Sequence, residues 1–95
     1  MQVKVKFFTL LRLELGISEL NIQIPDKDKI RLKDLLYELE KRTPKPFLRK
    51  LLDEKGLKQG VIILKNGKNV LELQGLDTWI EDQDELSLFP PGGGG

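Results

Sequence analysis

One helical stripe, set between runs that alternate like strands, constrains this chain more than any other feature. Leu32, Leu35, Leu36 and Leu39 recur at i, i+3, i+4 and i+7, which puts four leucines on one face of a helix running to about Arg42. On its N-terminal side the period is two. Val3, Val5 and Phe7 alternate with Lys4, Lys6 and Phe8, and Leu20, Ile22 and Ile24 alternate with Asn21 and Gln23, the pattern of half-buried strands. These two strands are expected to pair. Between them, Leu10 to Leu15, closed by Gly16, reads equally as a helical turn or a continuation of the strand.

Beyond the helix, Thr43-Pro44-Lys45-Pro46 stops its propagation. A second short helix is expected over Phe47, Leu48, Leu51 and Leu52, with Pro46 in its first turn and Gly56 as a left-handed cap. Val61-Ile62-Ile63-Leu64 is apolar throughout, as a strand shielded on both faces would be, and Asn66-Gly67 favours a type I′ hairpin. Val70, Leu71 and Leu73 then form the returning strand, Gly75 to Glu85 reads as a loop, and Leu86, Leu88 and Phe89 supply the last strand. This order predicts an α+β domain, a mixed sheet of about five strands with helices on one face. If the first and last strands lie adjacent and parallel, the fold is a β-grasp.

Composition narrows the chemistry. Ninety-five residues support one core, and 16 basic against 15 acidic residues leave a formal charge of +1, with no global footprint for nucleic acid or an anionic membrane. No run approaches the roughly 18 apolar residues of a membrane span, and the alternating start does not resemble a signal peptide, so the expected location is cytoplasmic. The chain has no cysteine and no histidine, which removes thiolate nucleophiles, disulfides, the commonest general base and the commonest metal ligand. Catalysis would have to run on carboxylates, lysine, Tyr37 or hydroxyls.

Asp77, Glu81, Asp82, Asp84 and Glu85 cluster with no basic residue between positions 77 and 85. An acid–base dyad could be drawn from Asp82 and Asp84, but close carboxylates on a turn mostly face solvent, so a docking patch for a basic surface is the better reading and no metal site is expected. Lys41, Arg42, Lys45, Arg49, Lys50, Lys55 and Lys58 form a basic region without interleaved aromatics, a solvated face rather than a nucleic-acid site. Gly67-Lys68 fails as a phosphate loop, because Ile62 and Asn69 stand where glycine and a hydroxyl residue are needed.

The chain divides into a domain over 1–89 and an extended tail over 90–95, Pro90-Pro91-Gly92-Gly93-Gly94-Gly95. The prolines remove two donors and stiffen the lead; the glycines carry no Cβ to limit how closely another protein can approach. Fully extended, the tail reaches at most about 20 Å. It is either an inert linker-like end, or a device for presenting the Gly95 carboxylate inside a partner's cleft. Phe8, opposite inward-pointing Phe7, and Phe89, beside the tail, are candidate protein contacts, unless the domain's own loops cover them.

Val5-Lys6-Phe7-Phe8-Thr9-Leu10-Leu11-Arg12, the Asn66-Gly67 turn, Asp82-Gln83-Asp84-Glu85-Leu86 and Phe89-Pro90-Pro91 ahead of Gly94-Gly95 together resemble the MoaD/ThiS family of ubiquitin-like sulfur carriers, most nearly the branch of MoaD, the small subunit of molybdopterin synthase. The resemblance implies a ubiquitin-like β-grasp that is not itself an enzyme. It implies that a MoeB-like, ubiquitin-activating-type enzyme adenylates Gly95 with ATP. The resulting thiocarboxylate would then enter a MoaE-like large synthase subunit and deliver sulfur to a cyclic pyranopterin phosphate, for a molybdenum or tungsten cofactor. No cofactor is expected to stay bound. By the same resemblance, Gly92, Gly93 and Gly94 thread the partner's channel, and Phe8, Phe89, Pro90, Pro91 and Arg12 contact the partner. A ThiS-like thiamine carrier, a ubiquitin-like protein modifier and an interaction module with an inert tail are the alternatives. Two departures stand out: Asp82-Gln83-Asp84 replaces the family's more usual Asp-Gly-Asp, and Gly92 and Gly93 replace bulkier residues.

Overall fold

The computed structural model describes residues 1–92. In chain order the elements are β1 (Gln2–Phe7), α1 (Thr9–Leu15), β2 (Glu19–Gln23), β3 (Lys29–Arg31), α2 (Leu32–Glu40), β4 (Leu52–Asp53), β5 (Gly56–Leu57), β6 (Ile62–Lys65), β7 (Lys68–Asn69), β8 (Trp79–Glu81) and β9 (Glu85–Phe89). Single 3-10 turns lie at Leu48–Lys50, Val70–Glu72 and Gly75–Asp77. A five-stranded sheet runs in the order β2-β1-β9-β6-β7. Its central pair, β1 and β9, is parallel, with Lys4 opposite Glu85 and Phe7 opposite Leu88. The other pairings are antiparallel. The first and last strands therefore meet as a β-grasp requires.

Alternation decides which face of the sheet is covered. Val3, Val5, Phe7, Ile22, Ile63, Leu86 and Leu88 point inward and meet Leu32, Leu35, Leu36 and Leu39 of α2, all at most 1% exposed. Each such side chain contributes about 1.5–3 kcal/mol of burial free energy, and the four-leucine stripe is what holds α2 on the sheet.

One open reading is settled and five local expectations change. Leu10 to Leu15 resolves as helix: Gly16, at φ +72°, closes α1 with its N–H on the Arg12 carbonyl at 3.0 Å. The expected second helix shrinks to one 3-10 turn. One carboxylate oxygen of Glu40 accepts from both the Phe47 and Leu48 N–H groups at 2.8 Å, and the chain then leaves into the β4–β5 ribbon. Gly56 does take positive φ, +119°, but within that ribbon and not as a helix cap.

The returning strand stops at Asn69. The side chain of Asn69 accepts from the Leu71 N–H at 2.9 Å and turns the chain into a 3-10 segment, burying Val70 while leaving Leu71 and Leu73 exposed. The stretch read as a loop contains β8, whose Ile80 pairs with Ile30 of β3, both buried. Finally, β6 is covered on one face only. Val61 and Ile63 are buried, whereas Ile62 is 43% exposed. Among the described residues no helix is long and apolar enough to cross a membrane, and no cluster suited to a metal ion is found.

Candidate functional site

The site is built by the ends of β1 and β9. Because they run parallel with Phe7 opposite Leu88, their outward residues come side by side. Phe8 and Phe89 stack with centroids 4.4 Å apart and planes 11° from parallel. Phe7, one residue earlier, points the other way and meets Phe47 edge-on at 5.9 Å. The Phe8 N–H donates to the Leu88 carbonyl at 3.1 Å, tying the pair to the sheet. Each ring is half-buried, so the pair is partly covered and partly presented.

Thr9 then takes φ +50°, an outlying conformation for a β-branched residue. The resulting bend swings α1 alongside the root of the tail. Leu10 and Leu13, 47% and 77% exposed, lie along an open apolar groove of about 500 Å³ whose other walls include Ile62, Phe89 and Pro90, and Gly92 stands at its edge. Pro90 is buried and Pro91 half-buried. Pro91 leans on Gly60, whose φ is +92° and where a Cβ would stand 3.6 Å from the Pro91 backbone. The tail therefore leaves the body over an apolar floor.

Of the residues singled out from the sequence, Phe8, Phe89, Pro90 and Gly92 come together here, with Pro91 beside them. Arg12 does not line the groove; it is exposed on α1, and its side chain makes no ion pair or hydrogen bond among the described residues. The expectations for Gly93, Gly94 and Gly95 lie outside the described residues. Leu10, Leu13 and Ile62 escaped sequence reading. The available signals were two leucines three apart in a segment whose structure the sequence leaves open, and a strand with no polar alternation, which reads as shielded on both faces.

At the opposite end of β9 the acidic cluster is structural. An Asp82 carboxylate oxygen accepts from the Gln2 N–H at 2.7 Å. Asp84 accepts from the Glu81 N–H at 2.7 Å and from the Asn66 amide at 2.8 Å, with Lys65 Nζ at 3.5 Å. The Asn66 side chain in turn accepts from the Glu85 N–H at 2.9 Å. Carboxylates held this way serve the turn, so the dyad reading loses its groups, and of the docking patch exposed Asp77 and Glu81 are themselves paired with Lys33 at 3.7 Å and Lys65 at 4.0 Å. Gln83 adopts φ +69°, with its N–H on the Gln2 carbonyl at 2.8 Å. Gln83 thus takes a left-handed conformation that favours glycine.

A mixed sheet with parallel first and last strands, packed under one principal helix, defines the ubiquitin-like β-grasp class of small carriers and modifiers. Residues 5–95 match the ThiS family, and the chain belongs to it. It is 30% identical to small archaeal modifier protein 3 of Haloferax volcanii over 95 residues, the whole of both chains. It is 34% identical over 86 residues to an Archaeoglobus fulgidus protein provisionally named a sulfur carrier, covering 90% of this chain and 96% of that one. Among solved structures, a Pyrococcus furiosus protein provisionally named molybdopterin converting factor subunit 1 superposes with TM-score 0.70 at 31% identity, over 97% of this chain and 99% of the other. The chain is accordingly a sulfur carrier or ubiquitin-like modifier, of a non-catalytic class.

Proposed function

We propose that the chain is a sulfur carrier that acts as the small subunit of a molybdopterin synthase, with Gly95 as the reacting residue. The observation that carries this reading is the placing of the stacked Phe8–Phe89 pair and the apolar groove at the root of the tail. A tail alone offers far less than the roughly 800 Å² per side of a standard interface. With the groove beside it, a partner can hold the domain while Gly92, Gly93 and Gly94 pass into its channel.

The chemistry asks nothing of the domain's side chains. A carboxylate resists substitution because it has no adequate leaving group. Attack of a Gly95 oxygen on the α-phosphorus of ATP, in a MoeB-like adenylating enzyme, expels pyrophosphate and gives an acyl-adenylate. Hydrosulfide, or its equivalent on a donor, adds to that carbonyl and AMP leaves, so that sulfur stands where oxygen stood. A MoaE-like large subunit would then bring the thiocarboxylate to a cyclic pyranopterin phosphate. The name of the Pyrococcus furiosus relative supports this branch. Full-length similarity to a small archaeal modifier protein supports a second use of the same adenylate, its capture by a lysine amine to form an isopeptide bond.

The test is intact-mass measurement after incubation with ATP, the adenylating enzyme and sulfide. Exchange of one terminal oxygen for sulfur is expected. Deleting Gly94 and Gly95 abolishes the exchange while leaving thermal unfolding unchanged. Adducts on lysines without thiocarboxylate would assign the modifier branch; a truncated chain that supports cofactor synthesis as well as the intact one would overturn the proposal.

A further inference from the structure

The two edges of the main sheet are unlike. One edge is β7, only Lys68–Asn69, a short strand that carries a lysine. The other is β2, Glu19-Leu20-Asn21-Ile22-Gln23, with neither lysine nor proline along it. Short length, charged side chains, above all lysine, proline and cover by another element are the usual means of keeping an edge from pairing, and β2 has only Glu19 at one end and Arg42 over the other.

The register shows which of its groups are free. The Phe7 N–H bonds to the Ser18 carbonyl at 2.9 Å and the Ile24 N–H to the Met1 carbonyl at 2.9 Å. By the alternation of an antiparallel ladder, Leu20 and Ile22 then bond to β1, while Glu19, Asn21 and Gln23 turn their N–H and C=O groups outward. Arg42 Nη2 reaches the Gln23 carbonyl at 3.2 Å. Among the described residues, nothing reaches the outward groups of Glu19 or Asn21.

We propose that this edge pairs with the β2 edge of a second copy of the chain, antiparallel about a two-fold axis through Asn21. In that register Asn21 faces its own copy as a hydrogen-bonded pair, and Glu19 faces Gln23 on both sides of the axis. The charge pattern fits. A carboxylate meets an amide, never another carboxylate, and the central pair is neutral and can itself hydrogen-bond. The two sheets continue into one, and the groove at the tail root stays open because β1 separates β2 from β9. The pairing is therefore independent of the proposed sulfur-carrier role. A strand edge buries less than a standard interface, so the dimer is weak and reversible.

Sedimentation of the full chain over a concentration series reads the association, and amide exchange locates it. Dimer is expected to grow with concentration, with protection rising at Glu19, Asn21 and Gln23, while Leu20 and Ile22, already bonded to β1, change little. Asn21→Asp sets two carboxylates opposite each other across the axis, yet places each beside Lys4 of its own β1, so the fold is kept and association falls several-fold. Gln23→Lys sets an ammonium opposite Glu19 twice, and association rises several-fold, an increase that salt removes. A chain that stays monomeric throughout the series, or a dimer indifferent to both substitutions, overturns the proposal. So does protection of this edge only when a different protein is added.

Discussion

The two ends of β9 are built in opposite ways. At Glu85, where the strand begins, polar side chains cross-tie three segments: Asp84 holds Glu81 and Asn66, Asn66 holds Glu85, Asp82 holds Gln2, and Lys65 Nζ donates to the Trp79 carbonyl at 2.8 Å. At Phe89, where it ends, the neighbouring surface is Leu10, Leu13 and Ile62, apolar and open. One end satisfies itself; the other leaves its surface for something else to cover. The difference shows how one strand can be anchored by polar ties at one end and still leave an apolar surface open at the other without loosening the fold.

The largest effect is expected from breaking the anchored end. Asp84→Ala removes the acceptor for two hydrogen bonds and leaves Lys65 without its nearer carboxylate. A loss of about 2–4 kcal/mol is expected, read as a lowered urea midpoint, with partner affinity of the folded chain unchanged. Reduced partner affinity in the folded variant would dissolve the contrast between the ends. Substitutions at the open end should behave in reverse. Leu13→Asp, at a side chain 77% exposed, is expected to leave stability within about 0.5 kcal/mol while weakening partner binding. Phe8→Ala is expected to weaken binding by about 1–3 kcal/mol and stability by about 0.5–1.5 kcal/mol, the smaller figure being the loss of the stack with Phe89. Titration of each variant against the large subunit proposed as its partner, beside its thermal unfolding, separates the two quantities.

A gain is expected at Gln83, which holds φ +69° in the anchored turn. Gln83→Gly should stabilise the fold by about 0.5–1 kcal/mol, because relief of the left-handed conformation exceeds the added freedom of the unfolded chain. A raised midpoint measures it. The smallest effect belongs to neither end. Lys41 and then Arg42 hydrogen-bond Glu38 and hold its carboxyl below the ordinary carboxylate range. The folded value lies below the unfolded one, so the contribution is present above the unfolded pKa and is lost as pH falls through the folded value. In Glu38→Gln the acid limb of the stability–pH curve should become slightly shallower.

Legibility followed the range of the forces involved. The α2 stripe, the strands around Val3-Val5-Phe7 and Leu86-Leu88, and the Asn66-Gly67 turn could be read because their periods and backbone demands are local; Asn66 and Gly67 take φ +50° and +86° as a type I′ turn requires. The second helix could not be read correctly, because after one turn the chain at Leu52 and Asp53 pairs with Leu57 and Gly56, while the turn's start is tied to the Glu40 carboxylate from across a loop. Nor could β8, a three-residue strand that exists by virtue of β3. In the candidate site, Phe8 and Phe89 were legible as outward aromatics beside a glycine tail. Leu10, Leu13 and Ile62 were not, since an apolar residue in a sequence signals burial whether its cover is the chain itself or another protein.

By itself the sequence determined the α+β class, the absence of thiol and imidazole chemistry, the likeness to sulfur carriers and the slender chain end, all of which depend on residue type and short-range spacing. Only the tertiary structure decided that β1 and β9 lie parallel, that Phe8 therefore stacks on Phe89, that α1 turns its leucines toward the root of the tail, and that Asp82 and Asp84 are ties rather than chemistry. Each of these depends on which distant segments meet. That is fixed by burying one face of the sheet under α2, a global requirement that no local stretch of the chain encodes alone.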